Sequence, residues 1–211
     1  MATTTTNYGW DIPQSTDLVK DGATAIATLG QDIDTSIYTA LGTKKAGLVL
    51  LNTTSFTAVS SQAINTVFSS AYENYRIILR INSSSTAMSH TMRMRSGVTN
   101  DTGANYYTAG AFQYVNSATL SGDNVNGGTA FPLGGGTSSA TPNVASFIEL
   151  SSPFLAVRTT FHKSQVAENS TAGYTSQLTG FHSLQTSYDG FEIIASTGTI
   201  TGKVAVYGYN F

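Results

Sequence analysis

Short stretches in which apolar residues alternate with polar ones recur along most of the chain, and this period of two constrains the fold most. In the clearest stretch, 75–81, every second residue is apolar: Tyr75, Ile77, Leu79 and Ile81. Successive side chains of a strand point to opposite faces of its sheet, so the alternation predicts a strand with one buried face. The core residues predicted from three such stretches are Tyr75, Ile77, Leu79, Ile148, Val204 and Val206.

Eight or nine short strands are predicted in this way, joined by polar loops. They cover 48–51, 55–59, 75–81, 92–95, 107–115, 144–150, 157–162, 190–194 and 199–211. Residues 62–69 are predicted to form a helical turn with Ile64, Val67 and Phe68 facing inward. The glycine-rich segment 121–142 is predicted to be a long loop that is either functional or mobile, with a flexible glycine triplet at 134–136. Many short strands without strand–helix–strand units predict a mainly β fold, an antiparallel, jelly-roll-like β-sandwich preceded by a short N-terminal helix.

Residues 1–45 follow a different period and are predicted to form a separate segment ahead of a β domain over 46–211. An apolar residue recurs there at every seventh position, which predicts a helix with a narrow apolar stripe. Ser15, Thr16 and Asp17 are suitable N-caps, and Gly42 is a suitable end. The stripe and its apolar neighbours are Val19, Ile26, Leu29, Ile33, Ile37, Ala40 and Leu41.

This helix is expected to need a partner surface. A helix of roughly 20 residues with so few charges is only marginally stable alone in water. In one interpretation it packs on its own β domain, and in the other it packs against the same helix of other copies. In the second interpretation the contacts between copies are Val19, Ile26, Leu29, Ile33 and Ile37.

The only tryptophan, Trp10, lies just before this helix, in a segment that also holds Tyr8, Ile12 and Pro13. Pro13 favours an extended backbone at Ile12. Two roles stay open for Trp10, which either packs on its own helix or inserts into a pocket of a neighbouring protein. In the second role, Tyr8, Trp10, Ile12 and Pro13 together form an attachment segment.

Composition argues against several classes of protein. Only 22 of the 211 residues are charged, with a net charge of −2, which argues against electrostatic binding of a nucleic acid backbone. No run of 18 apolar residues is present, so no membrane insertion is expected, and residues 1–6 lack the pattern of a signal peptide. The absence of cysteine excludes disulfides and cysteine-based zinc sites.

The sequence predicts no enzyme and no cofactor. His90, His162 and His182 do not have the spacing of metal ligands, and motifs for a nucleophilic serine or a phosphate-binding loop are absent. Four arginines share one parity in two predicted strands: Arg76, Arg80, Arg93 and Arg95. If those strands pair, the four side chains line one face. That face is then either solvated, opposed to carboxylates of a neighbouring subunit, or able to bind an acidic glycan or phosphate.

Segments near both ends resemble structural proteins of tailed bacteriophages. Tyr-Gly-Trp-Asp-Ile-Pro at 8–13, Ser-Thr-Asp-Leu-Val-Lys-Asp-Gly-Ala at 15–23 and Ile-Ala-Thr-Leu-Gly at 26–30 resemble the N-terminal segment of tail fibre and minor tail proteins. The segments that resemble the jelly-roll-like domains of phage structural proteins are 75–81, 92–97, 189–194 and 198–209.

The resemblance implies a homotrimeric, non-enzymatic virion protein, assembled in the bacterial host cytoplasm and bound to other virion structural proteins. The resemblance does not fix the position on the particle, so two functions stay open, the first being a tail fibre or tail-tip protein that displays its β-sandwich to a host surface glycan. The alternative is a purely structural role, as a head fibre, a capsid decoration or cement protein, or a tail adaptor. Copy number per particle separates the two, because a head protein is present at many more copies than a tail-tip fibre.

Overall fold

The computed structural model describes residues 3–6, 8–12, 19–42, 47–137, 143–168 and 173–210. The chain divides into two compact units, a leader (Met1–Gly47) and a body (Leu48–Phe211). The described residues are mainly β, with antiparallel sheets in the body and one helix in the leader. This confirms the mainly β sandwich fold predicted from the alternation.

The leader holds the helix α1 (Val19–Gly42), which spans 24 residues and ends at the predicted glycine. The N-caps proposed at 15–17 lie outside the described residues. Ahead of the helix, β1 (Thr3–Thr4) pairs antiparallel with β2 (Asp11–Ile12) in a small hairpin.

The turn of this hairpin holds the backbone of Trp10 and contains a glycine in a left-handed conformation. The backbone N–H of Thr5 donates to the carbonyl oxygen of Trp10 at 2.8 Å, and Gly9 has a φ of 67°. Glycine adopts this left-handed conformation without the steric cost of a Cβ atom.

The larger sheet of the body has eight antiparallel strands. In spatial order they are β3 (Leu48–Val59), β15 (Ile200–Tyr209), β5 (Asn74–Ser84), β11 (Asn143–Ser151), β12 (Thr160–Glu168), β13 (Gly173–His182), β8 (Tyr106–Tyr114) and β9 (Leu120–Gly128). Among the described strands, β3 and β9 are therefore the edges of this sheet.

The smaller sheet has five strands. In spatial order four of them are β10 (Phe131–Thr137), β6 (Met88–Ser96), β14 (Gly190–Ala195) and β4 (Ser61–Ile64), and the fifth, β7 (Thr99–Asn100), pairs with β6. Consecutive strands β4, β5 and β6 alternate between the two sheets, which is typical of sandwiches with crossed connections.

The core of the body lies between the two sheets. All six predicted core residues have 0% of their surface exposed: Tyr75, Ile77, Leu79, Ile148, Val204 and Val206. Aromatic contacts join the sheets, and the ring of Phe131 on β10 stacks on that of Phe161 on β12 with 4.3 Å between centroids. Such pairs stabilise the core beyond the area that they bury.

Two predictions near the start of the body are wrong in their secondary structure. Residues 48–59 form one continuous strand rather than two, because β3 stays paired with β15 across a bulge between Val206 and Tyr207. Residues 62–69 do not form a helical turn, since 61–64 belong to β4, which pairs with β14. The inward positions predicted there are nevertheless correct, as the buried residues include Ile64, Val67 and Phe68.

The glycine-rich segment 121–142 is not a long loop over its described part, because it supplies most of β9 and all of β10. The glycines have a packing role there. A Cβ at Gly134, whose φ is 111°, would lie 1.8 Å from Oε1 of Gln165. Gly134 therefore lets β10 approach β12 across the sandwich.

The strand predicted at 157–162 instead runs from Thr160 to Glu168, and β13 was not predicted at all. Both strands have polar residues at several of their inward positions. Lys163, Gln165 and Ser176 are all buried. Polar residues on the inward face removed the apolar signal on which the prediction depended.

Candidate functional site

The predicted attachment segment contacts the leader's own helix through Trp10. The indole Nε1–H of Trp10 donates to Ser36 Oγ on α1 at 2.9 Å. The Tyr8 ring stacks on the indole with 5.2 Å between centroids, while 69% of Tyr8 stays exposed. Ile12 lies on β2 and is 38% exposed, and Pro13 lies outside the described residues. Trp10 thus holds an exposed aromatic pair against the helix.

The predicted helix contacts are mostly accessible. Ile26 is 66% exposed and Ile37 is 51% exposed, whereas Leu29 and Ile33 are half-buried. The side chain of Val19 lies outside the described part of the chain. No described side chain of the leader is buried. Within the described residues, the apolar side chains of α1 therefore do not pack into a core.

The prediction that four arginines line one face is wrong. β5 and β6 lie in different sheets, so Arg76 and Arg80 are separated from Arg93 and Arg95. Each pair of arginines shares one face of its own strand, but the pairing of the two strands, on which the common face depended, does not occur.

Each of these arginines has a local partner. Arg76 on the outer face of the larger sheet donates from Nε to Glu149 Oε1 at 2.6 Å. Arg80 donates to Asn82 Oδ1 at 3.1 Å, and Arg93 donates to the carbonyl oxygen of Thr129 at 3.1 Å. Arg76 and Arg93 therefore tie neighbouring strands and loops together, whereas Arg80 bonds within its own strand.

Arg95 differs from the other three arginines because it is buried, with 8% of its surface exposed, and lies at the centre of a polar network. Its guanidinium donates to Asn65 Oδ1 at 3.0 Å and to Asn100 Oδ1 at 2.7 Å. It also faces Glu192 Oε2 at 3.4 Å. A buried guanidinium needs such partners to offset its loss of hydration, and here they fix the loop that leads into β7.

A second network joins Asp101, His182 and Tyr188, which the sequence did not single out as a group. His182 Nε2 lies 3.0 Å from Asp101 Oδ2, and the Tyr188 hydroxyl donates to the same oxygen at 2.8 Å. Burial lowers the pKa of His182, and the opposing charge of Asp101 only partly compensates. Burial alone raises the pKa of Asp101, but donors on Gly103, Tyr188 and Asn105 outweigh it and leave the pKa lowered.

These groups are enclosed, since His182 has none of its side chain exposed. A neutral imidazole beside a carboxylate is an arrangement used for proton transfer. Here its hydrogen bonds are directed at the protein itself and hold the 101–105 loop against β13. The network therefore positions that loop.

A third buried polar cluster lies between the sheets around Lys163. The ammonium group, with no exposed surface, donates to Ser176 Oγ at 2.8 Å and to Gln165 Oε1 at 3.1 Å. Burial lowers the pKa of Lys163 to about 8. Burial and the charge of Lys163 lower the pKa of His90 to about 3, and neither ring nitrogen of His90 has a hydrogen-bond partner.

The described residues hold no group of three His, Cys, Asp or Glu side chains that suits a metal ion. The carboxylates of Glu149 and Glu192 lie in different sheets. Within the described ranges, no helix has both the length and the apolar character that a membrane span requires. Comparisons with protein-family models, curated proteins and solved structures find no match for this chain.

Proposed function

We propose that this chain is a non-enzymatic structural protein of a tailed-bacteriophage virion, a homotrimeric tail fibre or tail-tip protein. The leader joins three copies and binds other virion structural proteins. The body displays a β-sandwich toward a host surface glycan.

The observation that carries the proposal is that the leader leaves several apolar side chains exposed. Its helix exposes Ile26 and Ile37, and Tyr38 is 73% exposed. Exposed apolar side chains on a helix that is marginal alone favour association with further helices. Copies of the same helix supply such a surface symmetrically.

The aromatic pair at the start of the leader supports the attachment role. Tyr8 stacks on Trp10, and the indole is held by Ser36, so the pair is preorganised. Preorganised aromatic side chains lose little conformational freedom on docking and often dominate the energy of an interface. Trp10 can thus serve both roles that the sequence left open.

The attachment role is tested with Trp10→Ala in the particle that carries this protein. The variant is expected to stay trimeric, with its body folded, but to be depleted from purified particles, because loss of an aromatic anchor typically costs about 2 kcal/mol or more. Quantitative mass spectrometry of the particles measures the depletion.

Ser36→Ala is the matched control, since it removes the hydrogen bond to the indole and leaves the indole in place. It is expected to be incorporated nearly as well as the wild type. Normal incorporation of Trp10→Ala contradicts the anchor. Equal loss of trimer in both variants shows instead that Trp10 acts only by packing on its own helix.

A further inference from the structure

Two parts of the larger sheet's outer face, on either side of β12, differ in charge. On the part formed by β15, β5 and β11, the outward residues include Arg76, Arg80, Glu149 and Lys203. The outward residues of β9, β8 and β13 include no Asp, Glu, Lys or Arg. This second set, the neutral strip, is Leu120, Gly122, Asn124, Asn126, Tyr107, Ala109, Ala111, Gln113, Thr175, Gln177, Thr179 and Phe181.

One end of the neutral strip is a groove with an aromatic wall. The groove has a volume of about 310 Å³ and is open to solvent. Tyr107 and Phe181 stand opposite each other across β8 and β13, and their rings stack with 5.1 Å between centroids and 9° between planes. The Arg158 guanidinium lies 5.5 Å from the centre of the Phe181 ring.

The strand order leaves one face of Tyr107 toward the groove. Phe181 lies on the β13 side of Tyr107, and β9 lies on its other side, where Asn126 is the direct partner of Tyr107. Asn124 and Asn126 are both exposed on that side. The groove therefore combines an aromatic face with two primary amides.

We propose that this groove binds one sugar ring of a neutral glycan, stacked on Tyr107. Aromatic faces carry a partial negative charge that attracts the polarised C–H groups on one face of a pyranose ring. Asn side chains both donate and accept hydrogen bonds, so two of them match the mixed donors and acceptors of sugar hydroxyls. This inference rests on the proposed display role and names the ligand class and its site.

The lack of charged residues in the groove disfavours other flat ligands. A nucleobase also stacks on tyrosine, but a nucleic acid needs cations for its phosphates, and the neutral strip has none. The same lack of cations disfavours an acidic glycan, because Arg158 lies over the Phe181 ring and does not line the groove. A neutral glycan needs no charged partner.

The rest of the neutral strip provides room for further sugar units. A second groove of about 290 Å³ continues along the same strands beside Gln113, Leu120 and Gln177. From Tyr107 to Gln113 is six residues of β8, or roughly 20 Å at the rise of a strand. Along this length the neutral strip has the small residues Ala109, Ala111 and Gly122, with amides and hydroxyls beside them.

The proposal is tested by applying the full-length chain to an array of neutral and acidic glycans and titrating the strongest neutral binder in solution. Tyr107→Ala is expected to weaken that binding by about tenfold or more, as loss of one stacking face does for other flat ligands. Tyr107→Phe, which keeps the face, is expected to bind within about threefold of the wild type.

Tyr207→Ala is the matched control, because Tyr207 lies on the outer face of the same sheet, in the part formed by β15, β5 and β11. It is expected to bind like the wild type. Binding to no neutral glycan, or equal weakening by Tyr107→Ala and Tyr207→Ala, overturns the proposal. Loss of self-association in Tyr107→Ala also overturns it, because the neutral strip is then covered by another copy.

The molar mass of the same samples distinguishes failure of this proposal from failure of the proposed function. A trimer that binds no neutral glycan refutes the groove and leaves the assembly role standing. A monomer that binds glycan through Tyr107 refutes the assembly role and leaves the groove standing.

Discussion

The leader and the body bury their apolar residues to different degrees. In the body, long side chains on both sheets lose all contact with solvent, as Tyr75, Phe131 and Phe191 do. In the leader, no described side chain is buried, and Ile26 and Ile37 keep more than half of their surface exposed. Among the residues that the structure describes, only those of the body form a core.

The difference teaches that the two units depend on different interactions. A sandwich core stabilises the body within one copy. The leader has a helix and a hairpin held by few contacts, so we expect its stability to depend on a partner. We therefore expect changes in the body to alter folding and changes in the leader to alter association.

The largest effect is expected from Ile77→Ala in the body. Ile77 has no exposed surface and lies between the sheets, so the smaller side chain leaves a cavity. The free energy of unfolding is expected to fall by about 2–5 kcal/mol. Chemical denaturation followed by circular dichroism measures it.

Val98→Ala is the control for this prediction, because Val98 is 83% exposed in the same unit. It is expected to change the free energy of unfolding by no more than about 0.5 kcal/mol. Equal effects of the two substitutions would contradict the core described between the sheets.

A smaller effect on the body is expected from raising the pH, through Lys163. Its pKa is lowered from 10.5 to about 8 by burial, so between these values the unfolded chain binds more protons than the folded chain. Stability then rises with pH, by about 2 kcal/mol from pH 7 to pH 9.5. Denaturation at both pH values measures the change.

Lys163→Met is the matched control, since it fills a similar space without a titrating group. Its stability is expected to lack this rise with pH. Burial raises the pKa of Tyr106 and of Tyr188, so both stay neutral in this window and do not produce the effect. A wild-type protein that loses stability between pH 7 and pH 9.5 would show that Lys163 is hydrated.

The smallest effect on body stability is expected from the leader variant Ile26→Ser combined with Ile37→Ser. Both positions are exposed in the single copy, so the unfolding of the body is expected to stay within about 0.5 kcal/mol. Self-association is expected to weaken, because the proposed assembly uses these side chains as contacts between helices. Thermal unfolding measures the stability of the body, and sedimentation velocity on the same sample measures self-association. A body that unfolds at a lower temperature in the variant would contradict this expectation.

The sequence predicted the parts of this fold that show in local periodicity. The apolar alternation at 75–81 identified β5 and its buried face, and the seven-residue repeat with Gly42 identified α1. It did not reveal β13, β9 or the separation of Arg76 from Arg95. Buried Lys163, Gln165 and Ser176 mask the alternation on β12 and β13, and the pairing of distant strands is a tertiary property.

The candidate sites divide in the same way. Trp10 was predictable because it is the only tryptophan and lies ahead of a helix. The groove at Tyr107 was not, since its aromatic face and its amides come from β8, β9 and β13, and only the strand order brings them together. The Asp101–His182 pair likewise depends on a contact between residues about 80 positions apart.

The most direct test of the proposed assembly is the molar mass of the full chain and of a chain starting at Leu48, both by light scattering with size-exclusion chromatography. The body keeps its own core, so the shorter chain is expected to fold and to elute as a monomer, while the full chain has three times the mass of one copy. A monomeric full chain would contradict the account. A trimeric chain starting at Leu48 would place the association in the body and remove the role given to the leader.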